Sequence, residues 1–226
     1  MARSNTSSFK DIKIEKRKAA TKSIRKAFLI ACEGISTEPN YISELVKDCK
    51  EEKLIAAGTE LVIAKHGHTD PLGVYEDLKA TPDYDNFDEY WIVIDRDEVE
   101  LNKKGQGGHS EKNFKDALKS CKKDRINVAC SNPCFELWIV LHFEYRNTSC
   151  SRRDIQKKAK ELVNSLLPNV KPLKSVDDLK TFADLYYVLK DRIQIAMKNS
   201  EKLDQSNPFS NPSTGMCLLV RALMKQ

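Results

Sequence analysis

Three stretches of this chain place carboxylates directly after runs of apolar residues. Glu33-Gly34-Ile35-Ser36-Thr37-Glu38 follows AFLIAC, Asp95-Arg96-Asp97-Glu98 follows YWIVI, and Ser131-Asn132-Pro133-Cys134-Phe135-Glu136 follows INVAC. Carboxylates gathered at one edge of a sheet repel one another unless something positive lies between them. Hard divalent cations such as Mg²⁺ or Mn²⁺ take such oxygen ligands. Two of them about 3.5–4 Å apart can activate a water and stabilise a leaving oxygen in phosphodiester hydrolysis. Asp95 and Asp97 stand two apart at a strand end and can converge on one ion, while Gly34 suits a tight turn that brings Glu33 to the sheet edge. A single Asp-x-Asp is common in turns, and an acid after a strand often caps the next helix. The repetition at three strand ends is what carries the reading.

The elements that must position these groups alternate along the chain. Residues 27–33, 61–64, 90–94 and 126–130 read as strands, and helical patterns cover 38–57 (with Gly58 closing it, and Leu54 and Ile55 on its apolar side) and 111–123. This alternation predicts an α/β fold, a parallel sheet of about four strands flanked by helices. Ligands of such sheets bind beyond the carboxyl ends of the strands, which is where the three acidic motifs fall. From Cys134 onward the chain reads as helical: the apolar CFELWIVLHF, an amphipathic stretch over 152–167, one or two longer helices over 177–204, and a last helix over 213–225 with Ser213 or Thr214 as N-cap. The organisation expected is a basic arm over 1–26, a catalytic domain over 27–150, and a helical subdomain over 151–226 packed on it.

Net charge divides unevenly. Residues 1–26 hold nine basic and two acidic side chains, a net +7, whereas the remaining residues carry −2. Lys16, Arg17, Lys18, Lys22, Arg25 and Lys26 in this arm suit the phosphate backbone of a nucleic acid, although a solvated tail is an equally simple account. Lys65, Arg96 and Lys190 are candidates to meet a scissile phosphate. The composition, 40% hydrophobic, excludes whole-chain disorder, and no run of about 18 apolar residues signals a membrane span. With no signal-peptide pattern, the expectation is a soluble cytoplasmic protein. The seven cysteines form no C-x-x-C pair, so buried free thiols are expected rather than disulfides or zinc. Trp138, Phe135 and His142 read as core before they read as site residues, while His66 and His68 fall in a loop at the candidate edge.

The strings CEG-x-x-TEPNY at 32–41, IVIDRDE at 92–98, SNPCFELW at 131–138 with LHF at 141–143, and NPST at 211–214 resemble the RloB family, which is related to the AbiLii abortive-infection proteins. The resemblance spans residues 25–226. It implies a Toprim-like domain, the metal-dependent fold of topoisomerases, primases and OLD-type nucleases, with Glu33 as the Toprim glutamate and Asp95 and Asp97 as the Asp-x-Asp ligands. Glu38 and Glu136 are similar to further carboxylates of OLD-type nucleases, each at a spacing one residue longer. The family implies antiphage defence, beside restriction systems or with a partner ATPase of ABC/AAA type. The chain has no G-x-x-x-x-G-K-[ST] motif, so such an ATPase would be another protein.

A Mg²⁺- or Mn²⁺-dependent nuclease is therefore the leading expectation. WIVIDRDEV also fits the haloacid-dehalogenase signature, with Asp95 as nucleophile, although that motif normally sits on a first strand. The third expectation is a non-catalytic nucleic-acid-binding or adaptor subunit. The sequence leaves the oligomeric state open.

Overall fold

The apolar run Ala27–Cys32 forms β1, which lies between β2 (Glu60–Ile63) and β3 (Glu89–Asp95), parallel to both. β4 (Asn127–Asn132) extends the parallel set beyond β3, and β5 (Ser213–Thr214) joins β4 antiparallel, giving the order β2-β1-β3-β4-β5. These elements belong to a computed structural model that describes residues 25–96, 109–167, 171–203 and 207–224. Asp97, Lys16, Arg17, Lys18 and Lys22 lie outside the described residues.

Helix α1 (Thr37–Glu51) follows β1, α2 (Pro71–Lys79) follows β2, α3 (Glu111–Asp124) precedes β4 and α4 (Glu136–Leu141) follows it. The C-terminal part is helical: α5 (Arg152–Ser165), α6 (Val176–Lys180), α7 (Leu185–Leu189), α8 (Ile193–Glu201) and α9 (Met216–Met224). Side chains of a strand alternate between faces. Phe28, Ile30 and Cys32 of β1 and Trp91 and Val93 of β3 accordingly join the larger core with α1, α4, α5 and α9. Leu29, Ala31, Ile92 and Ile94 face the smaller core with Val74 and Leu78 of α2 and Phe114 and Cys121 of α3. Burial on both faces explains why these strands are apolar throughout. All seven cysteines are free and buried. Among the described residues no helix is long and apolar enough to cross a membrane.

Several boundaries differ from expectation, each for a packing reason. α1 stops at Glu51 rather than running to Ala57, and Lys53, at φ 57°, makes the left-handed turn expected of Gly58. The break lets Ile55 enter the core while Leu54 stays 55% exposed. The stretch 177–204 is divided into α6, α7, a 3₁₀ turn over Lys190–Arg192, and α8. Ser213 and Thr214 are a strand, paired with Asn132 and Ser131; the Ser131 and Thr214 hydroxyls are hydrogen-bonded at 2.9 Å, and Thr214 Oγ1 also accepts from the Met216 N–H at the start of α9 at 3.3 Å. Gly215 then passes so close to β4 that a Cβ there would lie 3.1 Å from the Ala129 backbone. The peptides Asn132–Pro133 and Asn211–Pro212 are both cis.

Candidate functional site

At the carboxyl ends of β1, β3 and β4 lies a cavity whose lining includes Glu33, Glu38, Asp95 and Glu136, with a volume of about 670 Å³. Strand pairing sets Glu33 and Asp95 at the ends of the adjacent strands β1 and β3. Glu33, the residue after β1, donates its backbone N–H to Val93 O on β3 at 2.9 Å. Its carboxylate accepts the Asp95 backbone N–H at 3.1 Å through Oε2, and Oε1 meets His109 Nε2 at 2.8 Å. The Glu33 carbonyl accepts from His66 Nε2 at 3.0 Å, which fixes the backbone of the turn.

Asp95 is the last residue of β3, opposite Ser131 of β4, and is 7% exposed. Glu38 is the second residue of α1 and Glu136 the first of α4, and both are buried. Gly34 creates the room for Glu38, because a Cβ at residue 34 would stand 2.0 Å from Glu38 Oε2. Gln156 Nε2 donates to Glu136 Oε1 at 3.2 Å.

Burial and mutual repulsion both favour the protonated acids here. Burial chiefly, and then Glu33, Glu38 and Glu136, push Asp95 well above the usual carboxylate range, against the pull of Arg152. Burial likewise raises Glu38 to about 7; its own backbone N–H and Lys180 oppose this, while Glu136 and Glu33 add to it. Burial and the carboxylates Glu136 and Asp95 push the Cys134 thiol up as well.

Hard oxygen donors gathered in one cavity fit a divalent cation, which would relieve their mutual repulsion. Glu33, Glu38, Asp95 and Glu136 are the residues that would hold it. As placed, among the described residues, no group of three or more His, Cys, Asp or Glu side chains is arranged to hold a metal ion. Asp97 falls outside those residues.

The model of the RloB-like protein family matches residues 28–223. The chain belongs to the RloB-like family. No curated protein and no solved structure matches it.

In this RloB-like chain the described basic residues among those singled out from sequence do not line the cavity. Arg25 pairs with Glu60, and Lys26 with Glu89 at 2.5 Å, at the amino ends of the strands, remote from the carboxylates. Lys65 is exposed in the loop after β2 and does not line the cavity. Arg96 is only 5% exposed, with its guanidinium over the rings of Phe114 and Phe209 at 4.9 and 5.4 Å, so it does not offer a phosphate contact at the surface. Lys190 is paired with Asp48 at 2.9 Å.

Among the described residues, the basic side chains that line the cavity are His109, Arg152 and Lys180, none of which stood out from the sequence. His109 precedes Ser110, whose side chain caps α3, and Arg152 follows Ser151, which caps α5. An Ser-x-x-Asp/Asn capping pattern at each helix start was the available signal, but it marks an element rather than a site. Trp138 and His142 are core: His142 is fully buried, with Nδ1 donating to Trp138 O at 2.8 Å and Nε2 3.2 Å from the Tyr41 hydroxyl. Phe135 is buried too, yet one edge of it contributes to the cavity wall. His68 turns away to Asp77 at 2.7 Å.

Proposed function

We propose that this RloB-like protein is a divalent-metal-dependent nuclease of Toprim type, hydrolysing phosphodiester bonds of DNA or RNA in antiphage defence. The observation that carries this reading is the convergence of Glu33, Glu38, Asp95 and Glu136 from three adjacent strand ends on one cavity. When bound, Mg²⁺ or Mn²⁺ supplies a lowered pKa for a coordinated water and compensation of charge on the leaving oxygen.

The residues contribute the rest. Asp95 and Glu33 are locked to each other through the Asp95 N–H, so their carboxylates keep one relative orientation. His109 meets the second oxygen of Glu33 and so fixes the orientation of that carboxylate in the cavity lining. Gln156 orients Glu136 from the far side. Phe135 and the buried surroundings of Asp95 limit water, which strengthens each electrostatic contact.

The defence role and an ABC/AAA-type ATPase partner follow from family resemblance, and the basic arm suits delivery of a nucleic acid. The test is cleavage of labelled DNA and RNA by the purified protein with Mn²⁺, with and without such an ATPase. Cleavage should vanish in EDTA and in the Asp95→Asn and Asp95→Ala/Asp97→Ala variants. Metal-dependent cleavage that survives both variants refutes the assignment, and Mn²⁺ binding without any hydrolysis would make the protein an adaptor.

A further inference from the structure

We infer that Arg152 and Lys180 grip the phosphates of the nucleic-acid substrate and position it against the carboxylates, which deepens and rests on the nuclease reading of the same cavity. An anionic phosphodiester cannot approach four clustered acids unaided. The cavity must also carry positive charge, and Arg152 and Lys180 are among the residues that line it.

Two side chains from the C-terminal helices supply this charge. Arg152 is the first residue of α5, one helical turn from Gln156, whose amide donates to Glu136. Residues four apart share a face, so the contact that fixes Gln156 also aims Arg152 at the acids. Its charge acts on Asp95, and that of Lys180 acts on Glu38.

Lys180 is anchored through its backbone. The Thr37 hydroxyl donates to the Lys180 carbonyl at 3.0 Å, tying the end of α6 to the residue beside Glu38. Its ammonium stands 3.9 Å from Asp177, a carboxylate that is 89% exposed, and an ion pair so open to water holds a lysine weakly. Arg152 presents a planar fork suited to two phosphate oxygens, and Lys180 a point charge suited to one. The other cations considered that the structure describes, Arg25, Lys26, Lys65, Arg96 and Lys190, do not line the cavity. The phosphate grip therefore lies in the part of the chain that looked, from sequence, like packing.

The experiment is fluorescence anisotropy of the full-length protein with a labelled single-stranded oligodeoxynucleotide in EDTA, so that binding is read without metal. Arg152→Gln, Lys180→Gln and the double variant are compared with wild type after thermal unfolding shows that each is folded. The N-terminal arm contributes equally to all four proteins. Each single change should weaken binding about tenfold, the scale of one charge-assisted contact, and reduce the slope of log K against log salt by about 0.7. Arg152→Lys should restore the slope but only part of the affinity. Calorimetric Mn²⁺ affinity should stay equal or rise in the Gln variants, because a competing cation is gone.

Oligonucleotide affinity and salt slope unchanged in a folded double variant overturn the inference. So does a rise in Mn²⁺ affinity with unchanged oligonucleotide binding, which would make the two cations mere counter-charges. Cleavage by Asp95→Asn is scored separately: its persistence removes this cavity as the nuclease site whatever the binding data show, and its loss leaves the binding data to judge Arg152 and Lys180 alone.

Discussion

The Asp95 backbone N–H donates to the Glu33 carboxylate at 3.1 Å, so the acid at one strand end is oriented by the backbone of the next. The geometry is a by-product of parallel pairing between β1 and β3, in which Cys32 stands opposite Val93. Any residue in the position of Glu33 would find this donor, but only a side chain of its length can accept from it and also reach His109.

Glu33→Gln keeps an acceptor for Asp95 and removes the charge. The variant should fold with an unfolding midpoint close to wild type, while Mn²⁺-dependent cleavage falls at least about 100-fold, the low end for a positioned acid–base group. Parallel denaturation and cleavage assays check this; full activity would remove Glu33 from the chemistry.

Gly34→Ala should injure the site more than the fold. The new Cβ would collide with the Glu38 carboxylate, the far end of a side chain that can swing away, rather than with backbone. Expulsion of Glu38 relieves repulsion among the acids, so stability should change by less than about 1 kcal/mol. Mn²⁺ affinity should drop by about 10–100-fold, as for a misplaced ligand shell. Calorimetric titration beside urea unfolding separates the two effects.

Glu38 gives a pH signature. Its folded pKa, about 7, lies above that of an unfolded glutamate, so the native state holds the proton over the interval between them. The stability tied to that proton is complete below about 4.5 and is lost as pH rises through about 7. In EDTA, Glu38→Gln should therefore gain on wild type as pH is raised, and the difference in urea midpoint should be larger at about pH 8 than at about pH 5. Added Mn²⁺ should narrow it. A difference that does not vary with pH would mean that Glu38 pays no penalty for ionising.

His142 should behave in the opposite sense. Burial lowers it to about 4, below the unfolded value, so the unfolded chain takes up the proton first. Wild type should lose stability relative to His142→Gln as pH falls from about 6.5 toward about 4. His142→Ala, which leaves a cavity and an unpartnered Tyr41 hydroxyl, should cost about 2–4 kcal/mol at neutral pH, without a comparable change in Mn²⁺ affinity.

The gathering of Glu33, Glu38, Asp95 and Glu136 at one cavity was legible because each acid sits beside an element whose apolar pattern is local: Glu33 and Asp95 at strand ends, Glu38 and Glu136 at the following helix starts, while Asp97 lies outside the described residues. Arg152 and Lys180 were not, because each lies on an ordinary amphipathic or short helix and only tertiary packing turns it inward. His109 was hidden in the same way, reaching Glu33 across 76 residues of chain. β5 escaped because two residues cannot display a period, and the hydroxyls of Ser213 and Thr214 suit a cap as well as a strand. The left-handed turn at Lys53 was placed on Gly58 because glycine is the usual occupant of such a turn, whereas the burial of Ile55 required it earlier.

The antiparallel pairing of β5 with β4 has a consequence for biosynthesis. Ser213 and Thr214 meet Asn132 and Ser131 across some eighty positions, and the sheet edge beside the acids stays open until they arrive. A nascent chain displays its carboxylates early but closes that edge only after β5 has emerged. Any fragment that stops short of Ser213 would leave β4 with an unpaired edge beside the acids.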